Sequence, residues 1–124
     1  MNKLKTIYHI ADIHIRNIKR HKFGYYMRVL DDESLRLVGH LSDISSKGFK
    51  IDSQTLIAPG IQFRLRMDLT SEVSNKAYII FSAISRWCQV DPLDPFVQNV
   101  GFEITEISTE DSAIYQRIVE KYGS

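Results

Sequence analysis

Residues 39–51 read GHLSDISSKGFKI, two short apolar runs interrupted by Asp43, Ser45, Ser46, Lys47 and Gly48. Branched and aromatic residues suit a pleated, half-buried surface, and the small polar residues between them suit a chain reversal. The segment therefore reads as two strands joined by a turn. In it Asp43 and Ser45 bond nearby backbone groups, and Gly48 is free to take a positive φ. The same polar groups are also able to hold a ligand. Two functions stand for the turn at this point, reversing the chain alone or reversing it and binding.

Outward from this turn the β signals continue. YYMRVL (25–30) is rich in aromatic and branched residues, DDES (31–34) follows as a turn, and LRLVGHLS (35–42) is the partner strand. Pro59 and Gly60 mark another turn. Beyond it Phe63, Leu65, Met67 and Leu69 alternate with Arg64, Arg66 and Asp68, the mark of a strand with one wet face. The long branched run KAYIIFSAISRWC (76–88) predicts a central strand, with Trp87 and Cys88 in the core. NVGFEITEIS (99–108) predicts another, with Val100, Phe102 and Ile104 on one face, and DPLDPF (91–96) loops between the two. The period then changes. In STEDSAIYQRIVEKYG (108–123), Ser108 or Thr109 caps a helix, Ile114, Ile118 and Tyr122 fall four apart, and Gly123 ends it. Five or six short strands with a closing helix predict a small antiparallel barrel.

A chain of 124 residues makes one domain, long enough to bury a core without staples. Its single cysteine, Cys88, has no internal disulfide partner and points to a reducing cytoplasm. No apolar run approaches the ~18 residues of a membrane span, so no membrane insertion is expected. The net charge of +1 conceals an asymmetry. Residues 1–28 hold Lys3, Lys5, Arg16, Lys19, Arg20, Lys22 and Arg28 against Asp12 alone, leaving nine basic and fourteen acidic residues in the remainder. The chain thus divides into a basic arm (1–22) and a barrel (23–124). From charge alone an arm of this size is either a local anion site or a solvated basic tail, and it falls short of the broad basic face that DNA or RNA requires.

The order of features is RNIKR (16–20) with R-x-x-x-R spacing, a hairpin, D-x-S-x-x-G at Asp43, Ser45 and Gly48, then AISRW (83–87), VGFEI (100–104) and a terminal helix. It resembles the PilZ domain family over roughly residues 20–122. The resemblance implies an all-β fold, a small six-stranded antiparallel split barrel with a C-terminal helix. It also implies a bacterial receptor for cyclic di-GMP, non-catalytic, without metal or other cofactor, that signals through a protein partner. Arg16, Arg20, Asp43, Ser45 and Gly48 would bind the ligand. An arginine forks onto phosphate or onto guanine O6 and N7, and stacks on the base. A carboxylate accepts from the guanine N–H groups. Two arginine registers stand: RNIKR itself, or KRHKFGYYMRV (19–29), where Arg20 comes first, Gly24 or Tyr25 replaces the second arginine and Arg28 lies inside the strand. Family members that lack the ligand act as protein adaptors, the alternative function.

IYHIADIHIRNIKRH (7–21) also resembles the opening of the SbcD-type metallophosphoesterases, with Asp12 and His14 as the D-x-H. A two-metal site needs further ligands to hold ions ~3.5–4 Å apart, and the G-D and G-N-H motifs that supply them are missing, so no enzyme is expected. Asp91 and Asp94 are expected to shape their loop rather than hold a cation. Arg64 and Arg66 are expected on a solvated face. The oligomeric state stays open.

Overall fold

The computed structural model describes residues 27–123. The expected arm, with Asp12, His14, Arg16 and Arg20, lies outside the described residues. Six strands form: β1 (Arg28–Asp31), β2 (Leu37–Ile44), β3 (Gly48–Ser53), β4 (Gln62–Asp68), β5 (Tyr78–Val90) and β6 (Gln98–Ile107). A helix, α1 (Thr109–Tyr122), follows. The strands close in the order β1-β2-β3-β6-β5-β4, each neighbouring pair antiparallel. This is the barrel that the strand count predicts, and closure leaves no edge free to pair with another chain.

Alternation fills the interior. Leu65 and Met67 of β4, Ile79, Phe81 and Ala83 of β5, and Val100 of β6 are wholly buried. Phe49 joins the two sides of the core, stacked on Phe102 at 5.3 Å and edge-on to Phe81 at 5.4 Å. On the outer face the expected pair of solvated arginines splits. Arg64 is exposed and reaches Glu106 at 3.4 Å. Arg66 is half-buried: its Nε and Nη2 donate to Asp32 Oδ1 at 3.2 and 3.0 Å, and its guanidinium lies 3.9 Å from the centre of the Tyr78 ring. It clamps the β1–β2 turn to the neighbouring strands. Asp91 and Asp94 do shape their loop. Asp91 Oδ1 accepts from the Leu93 and Asp94 amides at 2.8 and 3.1 Å, and Asp94 Oδ1 from the Phe96 amide at 2.9 Å. Among the described residues no three His, Cys, Asp or Glu side chains gather as metal ligands, and no helix is long and apolar enough to cross a membrane.

Ser108 caps α1 by accepting from the Asp111 amide at 3.1 Å. Asp111 then ties the first turn to the sheet, accepting from Lys76 Nζ at 2.6 Å and from the Ile80 amide at 3.1 Å. The hydrogen bond to Asp111 raises the Lys76 pKa. Ile114, Tyr115, Ile118 and Tyr122 are buried, and the helix packs against β2 and β5. Gly123 ends the helix, though not through a left-handed turn, since its φ is −76°. A Cβ there would stand 2.5 Å from the Val119 carbonyl oxygen and 3.0 Å from that of Ile44, so crowding is what favours glycine. The buried seam gives a direct test. Ile118 is wholly buried, and Ile118→Asp places a charge in apolar surroundings; it should destabilise by about 3–4 kcal/mol in urea unfolding, whereas a parental midpoint would mean that α1 does not pack as described.

Candidate functional site

Strict alternation would turn Asp43 and Trp87 into the core, in line with Leu41 on one strand and with Phe81, Ala83 and Ser85 on the other. Each strand carries one surplus residue that prevents this. On β2, Leu41 pairs with Ile51 and Asp43 with Lys50, so Ser42 is surplus; Leu41 and Ile44 both point inward, and Asp43 stays half-exposed. On β5, Ser85 pairs with Phe102 and Trp87 with Gly101, so Arg86 is surplus. A bulge reverses the parity of the residues beyond it and re-aims their side chains. Trp87, expected in the core, therefore stands on the outer surface at 39% exposure. Cys88 is half-buried, its thiol 3.6 Å from Gln98 Oε1 as donor. The sequence did hold a signal for this correction, because a lone glycine inside a strand marks a bulge or a close approach. Gly101 is that glycine, and a Cβ there would collide with the indole of Trp87.

The turn between β2 and β3 is held from several sides. Ser45 donates its amide and its hydroxyl to the Gly48 carbonyl at 2.8 and 3.2 Å. From α1, the Tyr115 hydroxyl donates to the carbonyls of Ser45 and Gly48 at 2.7 and 2.9 Å. The Ile104 amide of β6 donates to the Lys47 carbonyl at 3.0 Å. Burial pushes the Tyr115 phenol far above its ordinary value, which keeps it a donor. Gly48 does not take the positive φ that the sequence suggests; Gly60 does, at 84°. What Gly48 supplies is space, since a Cβ would run into the Phe102 carbonyl where β3 pairs with β6.

Beside this turn lies an open cavity of about 400 Å³. Asp43, Ser45 and Gly48 line it together with Trp87. Lys47, Lys50, Arg86 and Glu103 line it too, and nothing in the periodicity singles them out. Asp43 Oδ1 accepts from the Ile44 amide at 2.9 Å, and Oδ2 has no partner among the described residues. Arg86 Nε and Nη2 each lie 2.7 Å from Glu103 Oε1, which fixes the guanidinium plane. Lys47 and Lys50 make no ion pair with a described residue. The cavity thus combines a carboxylate acceptor, an exposed indole face and three cations, a set suited to an anion that carries an aromatic base. Arg16 and Arg20 lie outside the described residues, so their place relative to the cavity is not described. Arg28 is turned elsewhere, paired with Asp68 at 2.7 Å.

The sequence model of the PilZ domain matches residues 14–121. In structure the chain is similar to the Bacillus subtilis inhibitor of motility, MotI/DgrA, with a TM-score of 0.59 and 20% identity, covering 77% of this chain and 45% of that one. It spans less than half the length of that protein, and at this identity the likeness is one of fold. No curated protein is a significant match in sequence.

The hold of α1 on the turn is testable through one atom. Tyr115→Phe removes the donor shared by the Ser45 and Gly48 carbonyls and should cost about 1–2 kcal/mol in urea unfolding at neutral pH. A phenol whose folded pKa is raised contributes its stability below the unfolded value near 10 and loses it as the pH rises beyond. The gap between parent and variant should therefore narrow above pH 10. Equal stability at neutral pH would show that these bonds do not hold the turn.

Proposed function

The chain belongs to the PilZ domain family, and on that premise we propose that it is a non-catalytic, cytoplasmic receptor for cyclic di-GMP that signals through a protein partner. The observation that carries this proposal is the meeting of Asp43, Ser45 and Gly48 with the exposed Trp87 ring around one cavity. Cyclic di-GMP is a dianion with two guanines. Asp43 Oδ2 would accept from a guanine N–H edge, and Trp87 would stack on a base, an interaction worth about 1–3 kcal/mol. Lys47, Lys50 and Arg86 would offset the phosphates. Arg16 and Arg20, from the arm (1–22), would close over the ligand, one fork on phosphate and the other on guanine O6 and N7. The barrel unit (23–124) would supply the rest. An inhibitor of motility shares this fold, and output through a protein partner is proposed here.

Calorimetry with cyclic di-GMP at low salt tests the proposal, and Trp87 is the only tryptophan, so its fluorescence reports on the site alone. Binding should release saturable heat, quench that fluorescence and weaken with added salt. Asp43→Ala should lose about 1.5–3 kcal/mol of affinity. Arg16→Ala should weaken binding about tenfold, ~1.4 kcal/mol, and Arg20→Ala, whose arginine belongs to the motif in either register, should abolish it. No heat from the parent at millimolar ligand would sink the receptor proposal and leave the adaptor.

A further inference from the structure

Exposed apolar side chains gather at one end of the barrel. Leu35 stands on the β1–β2 turn and Leu37 opens β2; Leu56 and Ile61 lie on the β3–β4 connection; Leu93 and Phe96 lie on the β5–β6 loop. The pairings Leu30↔Leu37, Ser53↔Gln98 and Val90↔Gln98 bring these three connections to the same end, away from the β2–β3 turn and α1. Every large exposed hydrophobic side chain among the described residues lies there except Trp87. Exposed apolar side chains concentrated at one end in this way point to an interaction site.

Two details set this end apart from chance exposure. Leu35 has a φ of 61°, a left-handed conformation that costs a leucine roughly 1–2 kcal/mol, and yet the residue is 53% exposed. The β5–β6 loop, for its part, is stiffened by the bonds of Asp91 and Asp94 to its own amides, so Leu93 and Phe96 are held out from a fixed backbone. Charge then selects the occupant. The end of β1 and the three connections carry Asp31, Asp32, Glu33, Asp91 and Asp94 against Arg36, and Arg66 pairs with Asp32, which leaves an excess of acid. Two such ends facing each other would set acid against acid, which disfavours a symmetric pairing of copies. The complement lies on the same chain, where the segment ahead of Met27 has six Lys and Arg against Asp12 alone, and isoleucines from Ile7 to Ile18. Reach is sufficient. The Met27 carbonyl accepts from the Leu41 amide at 2.9 Å, about 13 Å along β2 from Leu37, while the nine residues back to Ile18 extend to about 30 Å. A tethered segment also acts at an effective concentration of about millimolar, ahead of any second copy.

We propose that, in the chain without nucleotide, residues 7–22 dock on the apolar, acidic end of their own barrel. A nitroxide placed at Gln54→Cys, on the exposed β3–β4 connection, tests this in the full chain, with Cys88→Ser leaving a single thiol. In dilute isotope-labelled protein the magnetic resonance signals of residues 7–22 should fall several-fold against the reduced label. The same label at Asn75→Cys, exposed on the β4–β5 connection at the other end, should leave them unchanged. Loss from both labels or from neither overturns the proposal. Loss seen only when an unlabelled copy carries the nitroxide overturns it as well, because the occupant is then a second molecule.

Discussion

One surplus residue on each of two strands governs where this barrel puts its chemistry. Ser42 and Arg86 interrupt the two-residue repeat, and the core does not suffer, because Ile44 still points inward after the first bulge. Were Ser42 paired in regular register instead of bulged, Asp43 would enter the apolar interior at a cost of several kcal/mol and Ile44 would turn to water. Were Arg86 paired in the same way, the indole would turn inward and compete for space that Phe49, Phe81 and Phe102 already fill. The two bulges lie on strands that flank β3 and β6, and the side chains that they turn outward face one cavity. Gly48 and Gly101 complete the arrangement by letting backbone or indole come close where any Cβ would obstruct them.

Much of the fold is legible in the sequence, for identifiable reasons. The β4 alternation through Leu65 and Met67 and the helical spacing of Ile114 and Ile118 are local patterns, and local patterns survive folding. The D-x-S-x-x-G motif groups Asp43, Ser45 and Gly48, and in the structure all three line one cavity. A bulge, however, is a relation between two strands. Nothing within β5 alone says that Phe102 faces Ser85 while Gly101 faces Trp87, so its pattern sends Trp87 to the interior. The same gap hides Lys50, Arg86 and Glu103, which meet only through cross-strand register. Glycine is misread in kind rather than in place. At Gly48 and Gly123 the constraint is a neighbouring carbonyl, and only the assembled structure reveals a neighbour.

Electrostatics divides the surface into two regions with different duties. Around the cavity, basic side chains outnumber carboxylates, and Glu103 holds Arg86 in a fixed plane. At the apolar end acids predominate, and several are already engaged: Asp31 caps its turn by accepting from the Glu33 and Ser34 amides at 3.0 and 2.8 Å, and Asp32 holds Arg66. The amide bonds fix loop geometry and leave the charge of Asp31 in place, whereas Arg66 offsets that of Asp32.

The fastening of the β2–β3 turn has a consequence for synthesis. Its carbonyls are held by Ile104 of β6 and Tyr115 of α1, residues made long after Gly48 itself. β3 likewise waits for β6 as its second neighbour, a long-range pairing of the kind that slows folding. A nascent chain emerging from the ribosome can therefore form the hairpin that carries Asp43 and Ser45 well before it can hold that hairpin in shape. The pocket matures last, so a truncated translation product keeps the motif and lacks the means to fix it.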